Sequence, residues 1–250
     1  MKTSKAIARM MAVLALAVAL LAGVALLASG PGYRLGWWPL SAAYDLLSYG
    51  LLTGLAALSL GAIALLASWQ AGSVRGRNVA LVGVIVALVA SYVPLSWRSL
   101  ALEAPPIHDI STDLDHPPDF EALVDDRLPG ENDTAYGGRI VARLQEEAYP
   151  EIAPLLSDQA PDDVFTTVME VLGDTNWDIA AINAHDRVIE ATDETFWFGF
   201  KDDVVIRVAA RLGGTRVDMR SQSRIGVTDA GTNARRVEDF LAAVRQRLES

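Results

Sequence analysis

The 250-residue chain has no cysteine and only three histidines, His108, His116 and His185. The first absence excludes disulfides, thiolate catalysis and zinc–thiolate sites. G-x-S-x-G, H-E-x-x-H and P-loop spacings are missing too, so catalysis has weak support. A third absence is local and more informative. Asp, Glu, Lys, Arg and His do not occur in residues 10–29, 46–69 and 78–97.

At about 1.5 Å per residue, roughly 20 helical residues cross a ~30 Å hydrocarbon core, and lipid supplies no backbone hydrogen-bond partner. Each uncharged run therefore reads as a transmembrane helix, in a membrane domain spanning residues 1–98. The first is too long for a cleaved signal peptide and lacks an A-x-A site, so it reads as a retained signal anchor. Lys2, Lys5 and Arg9 precede the first run, and Arg75 and Arg77 lie between the second and third. Arg34 and Arg98 mark the opposite ends. The positive-inside rule then puts the N-terminus in the cytoplasm of a bacterial inner membrane and residues 98–250 outside, in the periplasm of a diderm. Gly50, Gly54, Ala57 and Gly61 form a small-residue stripe on the second run. It suits packing among the chain's own helices or, alternatively, a homo-oligomer seam. No ionisable group lies within a span, which argues against an ion pathway.

Residues 99–250 carry a net charge of −16, against +6 for residues 1–98. Such a surface repels nucleic acid. Residues 99–135, rich in Pro and Asp, read as an extended segment. Residues 136–250 read as an α+β soluble domain. Helices are predicted at Arg139–Ala148, from Pro161 to Gly173, and at Thr232–Leu248. Four strands are predicted around Trp177–Ala181, Arg187–Phe198, Val204–Ala210 and Val217–Ser221. A mostly antiparallel four-stranded sheet with helices packed on one face accounts for this order. No internal repeat is visible.

With Gly213-Gly214 as a two-residue hairpin loop, Arg211 would face Arg216 and Arg207 would face Arg220, with Asp218 diagonal to Arg207 and Arg211. Two arrangements relieve the like charges. One is a salt ladder to Glu190, Glu194 or Asp202. The other is an anion site held by Arg207, Arg211, Arg216, Arg220 and Arg224. The loop 223–236 adds Asp229, Asn233 and Arg236, as helix caps or as ligand-gripping groups. Asp202-Asp203 reads as a turn or an acid/base pair, and with His185 it forms the candidate set for an enzyme, such as a hydrolase. The oxygen-rich run 107–116 could suit calcium, but Leu114 and Phe120 exclude an EF-hand, and no metal or cofactor is assigned. Phe196, Trp197, Phe198 and Phe200 read as core or as a lipid pocket.

Three stretches carry a resemblance. They are Pro-Pro-Ile-His-Asp-Ile-Ser-Thr-Asp (105–113), Gly-Phe-Lys-Asp-Asp-Val-Val-Ile-Arg-Val (199–208) and the Ser-Arg-x-Gly…Asp-x-Gly-x-Asn-Ala-Arg-Arg tail (223–236). Together they resemble domain-of-unknown-function family 1499, over roughly residues 100–248. The resemblance implies a bacterial envelope-type protein, often with N-terminal spans, and an ordered 105–118 segment. It implies no activity. The reading that results is a non-enzymatic, membrane-anchored module whose exported domain binds an anionic ligand or envelope component. An enzyme, or a structural partner of another membrane protein, are the alternatives.

Overall fold

The computed structural model describes residues 2–250, which form two compact units. One holds the chain up to Ser99 together with Trp197–Gly199, and the other holds Leu100–Phe196 and Phe200–Ser250.

The first unit is built on helices α1 (Lys2–Arg34), α2 (Leu40–Gln70) and α3 (Val74–Glu103), each long and apolar enough to cross a membrane. Their contacts are made by small side chains. Ala12, Ala15, Ala64 and Ala80 form one buried layer, and Ala19, Ala57 and Ala87 form another. In lipid, close backbone approach through small residues replaces the hydrophobic drive that assembles a soluble bundle. The stripe on α2 is used in this way: Gly50 lies against Ala22 and Ala25 of α1, and Gly54 against Ser91 of α3. A Cβ on Gly61 would come 2.6 Å from Val84 Cγ2. All four stripe residues are buried, so the face considered for a homo-oligomer is occupied within the chain. Rings cluster at one end of this unit, with Trp197 5.7 Å from Trp97 and Phe198 6.0 Å from Tyr44, centroid to centroid.

The second unit contains β1 (Asp109–Ser111), α4 (Gly138–Ala148), β2 (Leu155–Ser157), α5 (Pro161–Gly173), β3 (Asp178–Asn183), β4 (Val188–Glu194), β5 (Lys201–Arg211), β6 (Gly214–Ser223) and α6 (Thr232–Leu248). The sheet is antiparallel throughout, in the order β1-β6-β5-β4-β3, with β2 also paired to β6. It has six strands, not the four expected. The two extra strands are three residues each, too short for alternation to register, and both pair along the same side of β6.

One face of the sheet is apolar. Val204, Ile206, Val208, Val217 and Met219 pack against Val164, Val168 and Leu172 of α5 and Val237, Phe240 and Val244 of α6. Side chains alternate faces along a strand, so Arg207, Asp218, Arg220, Gln222 and Arg224 fall on the other face. The hairpin register differs from the expected one. Arg211 pairs with Gly214 and Arg207 with Asp218, so the loop is Leu212-Gly213. No arginine opposes an arginine. Gly213 takes the positive φ of the turn, at +80°. Gly214 is needed for another reason, because a Cβ there would collide with the Ser157 carbonyl of β2.

Candidate functional site

The polar face of the sheet is covered by residues 105–135, which fold back over it. Arg220, completely buried, is the anchor. Its Nε and Nη2 donate to the two carboxylate oxygens of Asp109 at 2.9 and 2.8 Å. Its remaining donors reach the carbonyls of Pro118 (3.1 Å) and Thr134 (2.7 Å), and the guanidinium lies 4.8 Å from the centroid of the Phe120 ring. This bidentate geometry is the strong form of an arginine–carboxylate contact. Gln222 extends the network, donating to Asp109 Oδ2 and accepting from Arg127. Arg127 and Arg224 share one carboxylate, Asp203, at 2.9 Å each. Burial lowers the pKa of Arg127, partly offset by Asp203.

Glu190 has a different task from the ladder expected of it. Its carboxylate accepts the backbone N–H groups of Glu121 (2.9 Å), Ala122 (2.9 Å) and Leu123 (3.0 Å). A buried acid thus satisfies three donors that no helix or strand would satisfy. Nearer the β5–β6 turn, Arg207 and Arg216 share Asp113 and Asp218 at 2.9–3.2 Å. Arg211 is held more loosely, 3.6 Å from the exposed Asp158.

On the helix side, Arg236 of α6 donates to Asp193 (2.8 Å) and Asp202 (2.7 Å). One guanidinium therefore serves two carboxylates. Burial raises the Asp202 pKa more than Arg236 lowers it. Asn233, fully buried, donates to the His108 carbonyl and Ser223 Oγ and accepts from Ser221 and Arg236. Asp229 caps α6 by accepting the Gly231 and Asn233 amides.

The residues singled out from sequence are therefore committed to one another. Arg207, Arg216, Arg220 and Arg224 each hold at least one carboxylate within 3.2 Å, with Asp218 among the acceptors. An incoming anion would have to displace a bonded carboxylate, and Arg220 is sealed from solvent. The acids of 107–116 are spent likewise, Asp109 on Arg220 and Asp113 on Arg207 and Arg216. Asp202, Asp203 and His185 do not converge. Asp202 and Asp203 are neighbours on β5 pointing to opposite faces, and His185 lies exposed in the β3–β4 turn. That turn adjoins the Val188–Arg207 pair, roughly 13 Å along β5 from Asp203 at about 3.3 Å per residue.

Sequence reasoning missed a groove beside α6. It has a volume of about 680 Å³ and lies between the end of α5, α6 and β4. Trp177, stacked on Phe240 at 5.2 Å between centroids, forms an aromatic wall. Asp174, Asp193, Asp239, Arg235, Arg236 and Arg247 line it with equal charge of each sign. Arg247 is paired with Asp174 at 2.7 Å and Arg236 with Asp193. Among the described residues, the Arg235 guanidinium has no hydrogen bond or ion pair. The Arg235-Arg236 doublet was a visible signal, but only folding separates the roles: one helix position turns inward and the next stays outside.

An open-ended antiparallel sheet with two helices on its apolar face, a strap over its polar face and three apolar N-terminal helices defines an α+β membrane-protein class. The chain belongs to the family described as protein of unknown function (DUF1499), whose model matches residues 109–244. The match takes in both the strap's first strand and most of α6. No curated protein matches the chain.

Proposed function

We propose that the chain is a membrane-anchored binding module of the bacterial cell envelope. Residues 98–250 lie on the periplasmic side of the inner membrane, the first helix is an uncleaved signal anchor, and an anionic group of an envelope component docks in the groove beside α6. The observation that carries the reading is the groove itself. Its volume falls within the usual ~300–1,000 Å³ of ligand sites, and Arg235 offers it a guanidinium not engaged in a hydrogen bond or ion pair among the described residues. The arginines on the sheet make no such offer. The orientation rests on Lys2, Lys5, Arg9, Arg75 and Arg77, and the α1 N-terminal turns and the α2–α3 turn lie at one end of the bundle, where Arg9 Nε reaches Ser73 Oγ at 3.4 Å. Protease treatment of spheroplasts should cleave after residue 98; protection of that region would reverse the orientation.

The binding reading is tested by affinity capture from detergent-solubilised membranes, comparing the wild-type chain with Arg235→Glu. A component retained by the first and lost by the second supports the groove. Equal retention by both moves the site elsewhere, and no enriched component removes the binding reading.

A further inference from the structure

Three loops meet at the end of the sheet where β5 begins and β6 finishes, and each presents a large apolar side chain to solvent. The β4–β5 loop carries Phe196, 86% exposed. The β6–α6 loop carries Val227, 71% exposed, and the strap carries Leu128, 66% exposed. Hydrogen bonds fix them to the same end. The Thr195 amide donates to the Phe200 carbonyl, the Arg224 amide to Lys201, and the Asn132 amide to Arg224, while Asn132 Nδ2 donates to Gly226. The loops are well tied, so their tips are not simply frayed chain. Exposed apolar residues scattered singly need no explanation, but three converging from separate segments mark an interaction surface.

The covalent chain says which surface. Only residues 104–108 separate the end of α3 from β1, and β1 pairs with β6 at this same end, Asp109 opposite Gln222. Five residues reach at most about 18 Å at ~3.6 Å each. This end of the sheet is therefore leashed to the end of an apolar helix long enough to span a membrane. The segment 195–200, Thr-Phe-Trp-Phe-Gly-Phe, carries no charge and has the aromatic composition of membrane–water interfaces.

We propose that this end of the sheet rests on the bilayer surface, with Phe196, Leu128 and Val227 dipping into the headgroup layer as an interfacial contact additional to the three spans. Exposed charges nearby are mostly acidic, Asp125, Asp126 and Glu194 against Lys201, so the contact is apolar and gains nothing from anionic lipid. The proposal is independent of the groove beside α6 and of which compartment holds the domain.

The absence of cysteine makes the test direct. Phe196→Cys, Leu128→Cys and Val227→Cys are introduced singly into the full chain, labelled with an environment-sensitive fluorophore, and reconstituted into phosphatidylcholine nanodiscs. Leu212→Cys, at the opposite end of the β5–β6 hairpin and 99% exposed, is the reference. Labels at 196 and 227 should be blue-shifted, and quenched by spin-labelled lipid severalfold more than the label at 212, with no increase when phosphatidylglycerol is added. Where Phe196→Cys fails to fold, Val227→Cys reports the same surface. Aqueous quenching at 196 and 227 equal to that at 212 overturns the proposal. Shielding that follows protein concentration rather than lipid quencher assigns the surface to a second copy and also overturns it.

Discussion

Replacing Arg220 by alanine should bring the soluble domain close to unfolding. The side chain is 0% exposed and makes four hydrogen bonds, two to Asp109 and one each to the Pro118 and Thr134 carbonyls. Its removal leaves Asp109, 2% exposed, with Gln222 as its one remaining side-chain donor among the described residues. Breaking a buried ion pair from one side costs about 3–5 kcal/mol. Two stranded carbonyls and a lost cation–π contact push toward the upper end. Against a typical domain stability of about 5–15 kcal/mol, that is a third or more of the total. Removing both charges is different in kind: Asp109→Leu with Arg220→Met should recover part of the loss, because no lone charge stays buried. Pulse proteolysis of the full chain in nanodiscs across a urea series would measure the four states, and the cycle gives the coupling energy. A loss below about 1 kcal/mol for Arg220→Ala, or no coupling with Asp109, would refute the view that this pair clamps the strap.

Other consequences follow from single sites. Burial raises the Asp202 pKa above the ordinary carboxylate value, so the folded state holds that proton more tightly than the unfolded chain. Its contribution is fully present below the unfolded pKa and is lost as pH rises through the folded one. The stability of wild type relative to Asp202→Asn should therefore fall as pH rises above the ordinary carboxylate value of about 4, and a rising difference in paired urea titrations would count against the assignment. In the bundle, Gly61→Val pushes side-chain atoms into Val84 and should cost about 1–3 kcal/mol or more, read as loss of a monodisperse species in mild detergent. Leu66→Ala, on the 62% exposed outer side, should leave that species intact.

Much of the architecture was legible from local pattern. The uncharged runs coincide with α1, α2 and α3, and α6 occupies Thr232–Leu248, where the apolar spacing put it. Period-two alternation assigned Val204, Ile206, Val208, Val217 and Met219 to the core face. The hairpin register was not legible, because Gly213-Gly214 looks like a turn whichever job each glycine has. Gly214 is small to admit β2, a strand 57 residues earlier. The charge layer failed for the same reason. Half of its carboxylates, Asp109 and Asp113, lie far from the arginines in sequence, and no spacing rule links them. The groove joins α5, β4 and α6, each of which reads alone as ordinary.

The strap is an integral layer whose acids, Asp109 and Asp113, engage Arg207, Arg216 and Arg220 of the sheet. Hydrogen exchange of the full chain in nanodiscs tests this at the amides of Glu121, Ala122 and Leu123, which donate to the buried Glu190 carboxylate. They lie outside any helix or strand, so protection there has no source in regular secondary structure. Slow exchange, comparable to β5 and abolished by Glu190→Ala, is the predicted result. Exchange within seconds in the wild-type chain would mean that the strap is loose, that the arginine face opens to ligands, and that the account is wrong.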